Sequence, residues 1–200
     1  MQTIEVVLLK CAGPAPKGVH ASLTKLANGN GVSGVHANEA LEGGELYIYL
    51  ELNQPQPVQS DVAQRIAMAA QAMLPGRTLT AARLVRAFDM PGASSGEPAP
   101  FHYTVENDPV LGSEEEMMRW YDTEHMPGLA ALRGSVRAQR FFNLDSGPRS
   151  LASYDLVSPD ILGSVSWLAV RHTEWSSFVR PNFRNTKRTM FRHLAPLSLH

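Results

Sequence analysis

The 200-residue chain carries a formal net charge of -1, a pI near 6.7, 44% hydrophobic residues and one cysteine, Cys11. That balance argues against bulk attraction to nucleic acid or a membrane surface, and a lone cysteine excludes a disulfide framework and a thiolate zinc cluster. Residues 1–5 hold no basic leader and the apolar run at 6–9 is too short for a signal core or a membrane span, so a reducing, cytoplasmic setting is expected.

In chain order, residues 4–9 alternate as a strand and residues 20–27 read as a short helix. Residues 34–41 and 45–52 flank Glu42-Gly43-Gly44 as a hairpin. Gln54-Pro55-Gln56-Pro57 breaks the chain before a strong helix at 61–73 and a fourth strand at 79–88. Residues 91–100, rich in Pro, Gly, Ser and Ala, have no periodicity and read as a linker. The same order then repeats. A strand at 100–106 precedes a helix at 114–126, and strands at 135–142 and 150–156 flank Asp145-Ser146-Gly147-Pro148. A helix from Ser158-Pro159-Asp160 to about 178 should pack through Ile161, Leu162, Val165, Leu168 and Trp175, and residues 186–194 should close the sheet. The expected fold is α+β: two tandem ferredoxin-like β-α-β-β-α-β units with antiparallel sheets, residues 1–90 a degenerate first repeat and 101–200 the second.

The second repeat holds the most informative segment. Ser113 stands as N-cap, with Glu116 in capping-box register and three glutamates at the positive end of the dipole. Pro127 should stop the helix, leaving His125 in its last turn. Met118, Tyr121, His125 and Leu129 form one stripe at helical spacing, while Trp120 and Glu124 make a bordering row. His125 is thus either a satisfied core histidine or a general acid or base in an apolar pocket. Glu124 and the dipole favour the imidazolium there and burial favours the neutral ring. Burial should win at pH 7.

The stretch 120–127, with its His125-Met126-Pro127 signature, resembles the helix-to-second-strand region of EthD-type proteins in the dimeric α+β barrel superfamily. The resemblance implies ferredoxin-like units whose sheets face one another, within or between chains, to enclose a pocket, and hence a homodimer or a single-chain equivalent of one. Relatives of that kind include cofactor-independent monooxygenases, lactone isomerases, polyketide cyclases and haem enzymes, so it implies no single reaction. Haem ligation by His125 would follow only from the haem-binding relatives.

All three tryptophans, Trp120, Trp167 and Trp175, lie in the second repeat, so a single reactive pocket belongs there. Arg171, Arg180, Arg184, Lys187, Arg188 and Arg192 read as a solvated face, or Arg180 and Arg184, four apart, as a clamp for a substrate carboxylate. His20, His36, His102, His125, His172, His193 and His200 show no metal-ligand spacing, and no Gly-rich phosphate loop or Gly-x-Ser-x-Gly elbow is present. The expectation is therefore a small-molecule enzyme without cofactor or metal, acting on an apolar or aromatic carbonyl compound. His125 moves a proton, and Trp120, Tyr121 and Met118 line the site. The alternative is a non-catalytic ligand-binding or oligomerisation module.

Overall fold

The computed structural model describes residues 2–194; the sequence's His200 lies outside them. It is a mixed α+β protein in which the chain forms two compact units. The first takes the residues up to Arg86, Asn143–Ser146 and the chain from Phe191; the second takes Ala87–Phe142 and Gly147–Met190. No helix among the described residues is long and apolar enough to cross a membrane.

The first unit runs β1 (Thr3–Ala12), α1 (Val19–Asn28), β2 (Val32–Ala40), β3 (Glu45–Pro57), α2 (Val62–Met73) and β4 (Leu79–Pro91), β4 passing into the second unit after Arg86. Its strands lie in the order β4-β1-β3-β2, each pair antiparallel. Alternation in β1 puts Val7, Leu9 and Cys11 in one cluster with Leu23 and Leu26 of α1 and Ile66 and Ala70 of α2. Cys11 is a buried free thiol in that core. The prolines at 55 and 57 do not end β3. The strand carries them past a register shift opposite Ile4 and Val6 and pairs Pro57 with Thr3, the place where a sheet tolerates residues that cannot donate. Asp145, itself part of this unit, accepts the Arg83 backbone N–H of β4 at 2.7 Å and a forked guanidinium contact at 2.7–3.1 Å. Burial alone would raise the Asp145 carboxyl, but the Arg83 contacts prevail and hold it below its ordinary value.

The second unit contains β5 (Phe101–Pro109), α3 (Glu114–Trp120), α4 (Met126–Ala130), β6 (Ser135–Asn143), β7 (Ser150–Leu156), α5 (Val165–Arg171), α6 (Glu174–Val179) and β8 (Phe183–His193). Strands follow the order β8-β5-β7-β6, with β5–β7 and β7–β6 antiparallel. Residues 92–97 are docked on this unit and not free as a tether. Gly92 and Ser94 donate N–H groups to the Val136 and Ser135 carbonyls, and a Cβ at Gly92 would stand 2.1 Å from the Ser135 oxygen, so only glycine fits.

Three expectations of helix geometry are corrected. The expected helix at 158–178 is three pieces, because the hydroxyls of Ser158, Ser164 and Thr173 cap new starts by accepting the N–H groups of Asp160, Trp167 and Ser176. Val165, expected to pack, is 86% exposed. The capping box at α3 does not form: the Ser113 hydroxyl donates to the Val110 carbonyl and Glu116 accepts from the Trp175 indole. Pro127 does not end the helix either. Residues Tyr121–His125 form a π-helical turn in which the Met126 N–H reaches back to the Tyr121 carbonyl, and helix α4 continues through Pro127 to Ala130. The widened turn accommodates a ring that would strike the carbonyl four residues back in a regular helix.

Candidate functional site

The π turn decides where the aromatic side chains go. In a regular α-helix Trp120 would share a row with Glu124; the extra residue per turn brings it onto His125, five positions on. Their rings stack at 4.2 Å and 22°, and Tyr121 meets the same imidazole edge-on at 5.8 Å. Trp120 is almost fully buried and donates its indole N–H to the Ser176 hydroxyl at 3.2 Å, which fixes the platform beneath the histidine. Glu124 is turned away and accepts the Thr173 hydroxyl at 2.6 Å.

Around this stack lies a cavity of about 30 Å³, walled by Tyr103, Trp120, Tyr121, Tyr154, Trp167 and Phe183. His125 and Leu129 complete its helical side. Arg171, Arg180 and Arg188 bring three guanidinium-bearing side chains to it. Arg188 gets there through an irregularity in β8. Phe183 and Arg188 are an odd number of residues apart yet line the same cavity, and between them Asn185 sits in the left-handed region at φ 50°, outside regular strand geometry.

His125 makes no hydrogen bond with any described residue: Nδ1 is buried without a partner, while Nε2 keeps accessible surface at the cavity. Burial pushes the imidazole down to about 3, helped by the positive charges of Arg180 and Arg171. The ring is neutral at pH 7, as expected, but the opposing forces are not those the sequence suggested. His125 is no longer at a helix end, Glu124 is occupied, and arginines set the local field. With no partner on Nδ1 to fix its tautomer, the ring can present either a lone pair or an N–H to the cavity through Nε2. Tyr121 accepts from Asn107 Nδ2 at 2.9 Å, yet burial pushes its phenol up to about 12. Tyr154, whose hydroxyl points at the Met126 sulfur at 3.0 Å, is held well above its ordinary value, also by burial.

Of the residues singled out in the sequence, the structure brings together His125, Trp120, Tyr121 and Arg180. Met118 is elsewhere. Its sulfur accepts from Arg140 Nη1 at 2.7 Å, and the buried Arg140 guanidinium then lies 5.4 Å from the Tyr121 ring and bonds Asp122 at 2.6 Å. Arg184 also leaves the site, with its guanidinium on the carbonyls of Pro181 and Phe183. Sequence reasoning missed Arg171, Arg188, Tyr103, Tyr154 and Trp167. Strand alternation in β5 and β7 could have flagged the two tyrosines; nothing local announces the Asn185 irregularity that delivers Arg188.

No protein-family model and no curated protein matches this sequence. Solved structures do match in shape. A candidate monooxygenase from Fusobacterium nucleatum superposes with a TM-score of 0.62 at 12% identity over 99% of this chain and 96% of its own. An anthrone oxidase-like protein gives 0.60 at 14%, over 98% and 93%. A mutant chlorite dismutase from Candidatus Nitrospira defluvii, solved with cyanide, gives 0.64 at 7%, over 96% and 91%. The chain shares its fold with these proteins. At such identities the likeness extends to the fold alone, and function must be argued from the residues present.

The cavity as described is of the scale of one or two water molecules, so a haem, like any aromatic ligand, would enter only with its walls displaced.

Proposed function

We propose that this protein is a small-molecule enzyme of the dimeric α+β barrel superfamily, EthD-like in its His125-Met126-Pro127 segment, acting on an aromatic carbonyl compound by proton transfer through His125. The two β-α-β-β-α-β runs are read as tandem ferredoxin-like repeats, about 1–90 and 101–200, in a cytoplasmic protein able to form a homodimer. The observation that carries the reading is the His125 ring itself: stacked on Trp120, without a hydrogen-bond partner, and open to an aromatic-walled cavity through Nε2. A core histidine kept for stability would have its ring nitrogens satisfied.

In this reading the substrate's acidic C–H bond breaks, the proton passes to Nε2, and the electron pair moves onto the carbonyl oxygen as an enolate. A lone imidazolium is disfavoured here by burial and by Arg171 and Arg180. An imidazolium formed together with an enolate is a different case: the water-poor surroundings that oppose the isolated charge strengthen attraction within the pair, and the arginines face the developing oxygen charge. The exposed Arg188 side chain moves to admit an aromatic ring at the cavity mouth and then faces its oxygen.

The test uses anthrone, a ketone with an acidic methylene. Deuterium uptake into that methylene, followed by NMR in D2O, is expected to run faster with the protein than in buffer. His125→Gln should lower the acceleration by at least about 100-fold, the scale of a general base. No acceleration, or one that survives the substitution, contradicts the proposal. A second reading is a non-catalytic binding module; anthrone binding without exchange would select it.

A further inference from the structure

Three arginines come to the cavity from three elements: Arg171 from the end of α5, Arg180 just beyond α6, and Arg188 from β8. Among the described residues none of them pairs with a carboxylate. Glu116, Glu124 and Asp155 of this unit have other partners: Glu116 pairs with Arg119 and Trp175, Glu124 with Thr173, and Asp155 with His102. Arg180 Nη1 spends one donor on the Arg171 backbone carbonyl at 3.2 Å, which ties the Arg180 side chain to the end of α5. A solvated basic face would spread its charges or offset them with acids, as Arg119, Arg137 and Arg140 do in this same unit. Here like charges are kept together beside an aromatic wall and an unpartnered imidazole.

We propose that Arg171, Arg180 and Arg188 form an anion subsite that receives a carboxylate or another oxyanion carried on the aromatic ligand, whose ring lies among Tyr103, Trp120 and Trp167. This rests on the reading of the cavity as the ligand site, and it names the ligand class: an aromatic acid or its enolate, not a neutral hydrocarbon. Guanidinium forks match planar oxyanions in charge and geometry, and the rings supply stacking faces for the remainder. The subsite differs from an Arg180–Arg184 clamp, because Arg184 faces backbone carbonyls and Arg188 takes its place.

The experiment compares benzoate with benzamide, which match in shape and differ in charge, by calorimetric titration of the full chain. The wild type is expected to bind benzoate at least about tenfold more tightly, with the preference shrinking as salt is added. Arg188→Met, at an exposed position, should remove most of that preference and leave benzamide binding within about twofold, with the thermal unfolding midpoint unchanged. Arg180→Met is the second variant and should do the same. Equal affinity for the two probes, no binding of benzoate, or a preference that survives both variants overturns the subsite. Failure here with His125-dependent exchange of anthrone intact removes only the anion subsite; a benzoate preference without exchange removes the proton transfer and leaves a binding site for aromatic acids.

Discussion

Among the described residues His125 is held by stacking and not by hydrogen bonds, and this has a thermodynamic signature. In the unfolded chain the imidazole titrates near its ordinary 6.5; in the folded protein burial, then Arg180 and Arg171, push it down to about 3. Between those values the unfolded state binds more protons than the native state, so stability is complete above pH 6.5 and falls as the pH drops toward 3. The slope in that window is about 1.4 kcal/mol per pH unit from this residue alone. His125→Phe keeps a ring on Trp120 and removes the proton. Urea unfolding at pH 7 and pH 5 should therefore show a smaller acid loss in the variant than in the wild type, and matched losses would mean that His125 is not desolvated. Trp120 is a poor site for such tests, because its truncation would remove a fully buried core ring at a cost of about 3–5 kcal/mol.

At the level of elements, the helical segment around residue 120 shows where sequence patterns stop being informative. The strand at 150–156 and the helix near 62–73 follow from alternation and propensity, since nothing in their surroundings competes with the local preference. A period of 3.6 puts Met118, Tyr121, His125 and Leu129 on one stripe, but the inserted residue shifts the phase between Trp120 and Met126, so Met118 drops out and Trp120 enters. Pro127 reads as a stop because proline costs about 3 kcal/mol inside a regular helix, and the π turn removes the regularity on which that cost depends. Deleting Thr123, an exposed residue of the turn, should restore the 3.6 period and rotate His125 by about 100° relative to Trp120. The deletion alone should destabilise the protein by roughly 3 kcal/mol as Pro127 meets a carbonyl. Adding Pro127→Ala should recover most of that in thermal unfolding while anthrone exchange stays lost. Recovery of exchange along with stability would show that the π turn does not set the site.

Considered as a whole molecule, the sequence's inequality between halves has a physical counterpart. The core of the first unit is almost entirely aliphatic, built from Val, Leu, Ile and Ala on β1, β3, α1 and α2, and packs densely around small branched side chains. The second unit's core contains Tyr103, Trp120, Tyr121, Tyr154 and Trp167, large rigid rings whose irregular packing leaves a cavity with polar edges. Element order and the presence of an aromatic-walled cavity in the tryptophan-rich half were therefore readable from residue type. The arginine trio was not, because it depends on where three separate elements end and on one irregular residue in β8. The most direct measurement of the account is an NMR titration of the His125 ring nitrogens. The protein as described predicts a neutral ring throughout pH 5–8, with benzoate moving its resonances and Arg180→Met raising its midpoint. A midpoint near 6.5, unaffected by either, would mean a solvated histidine and would contradict the site.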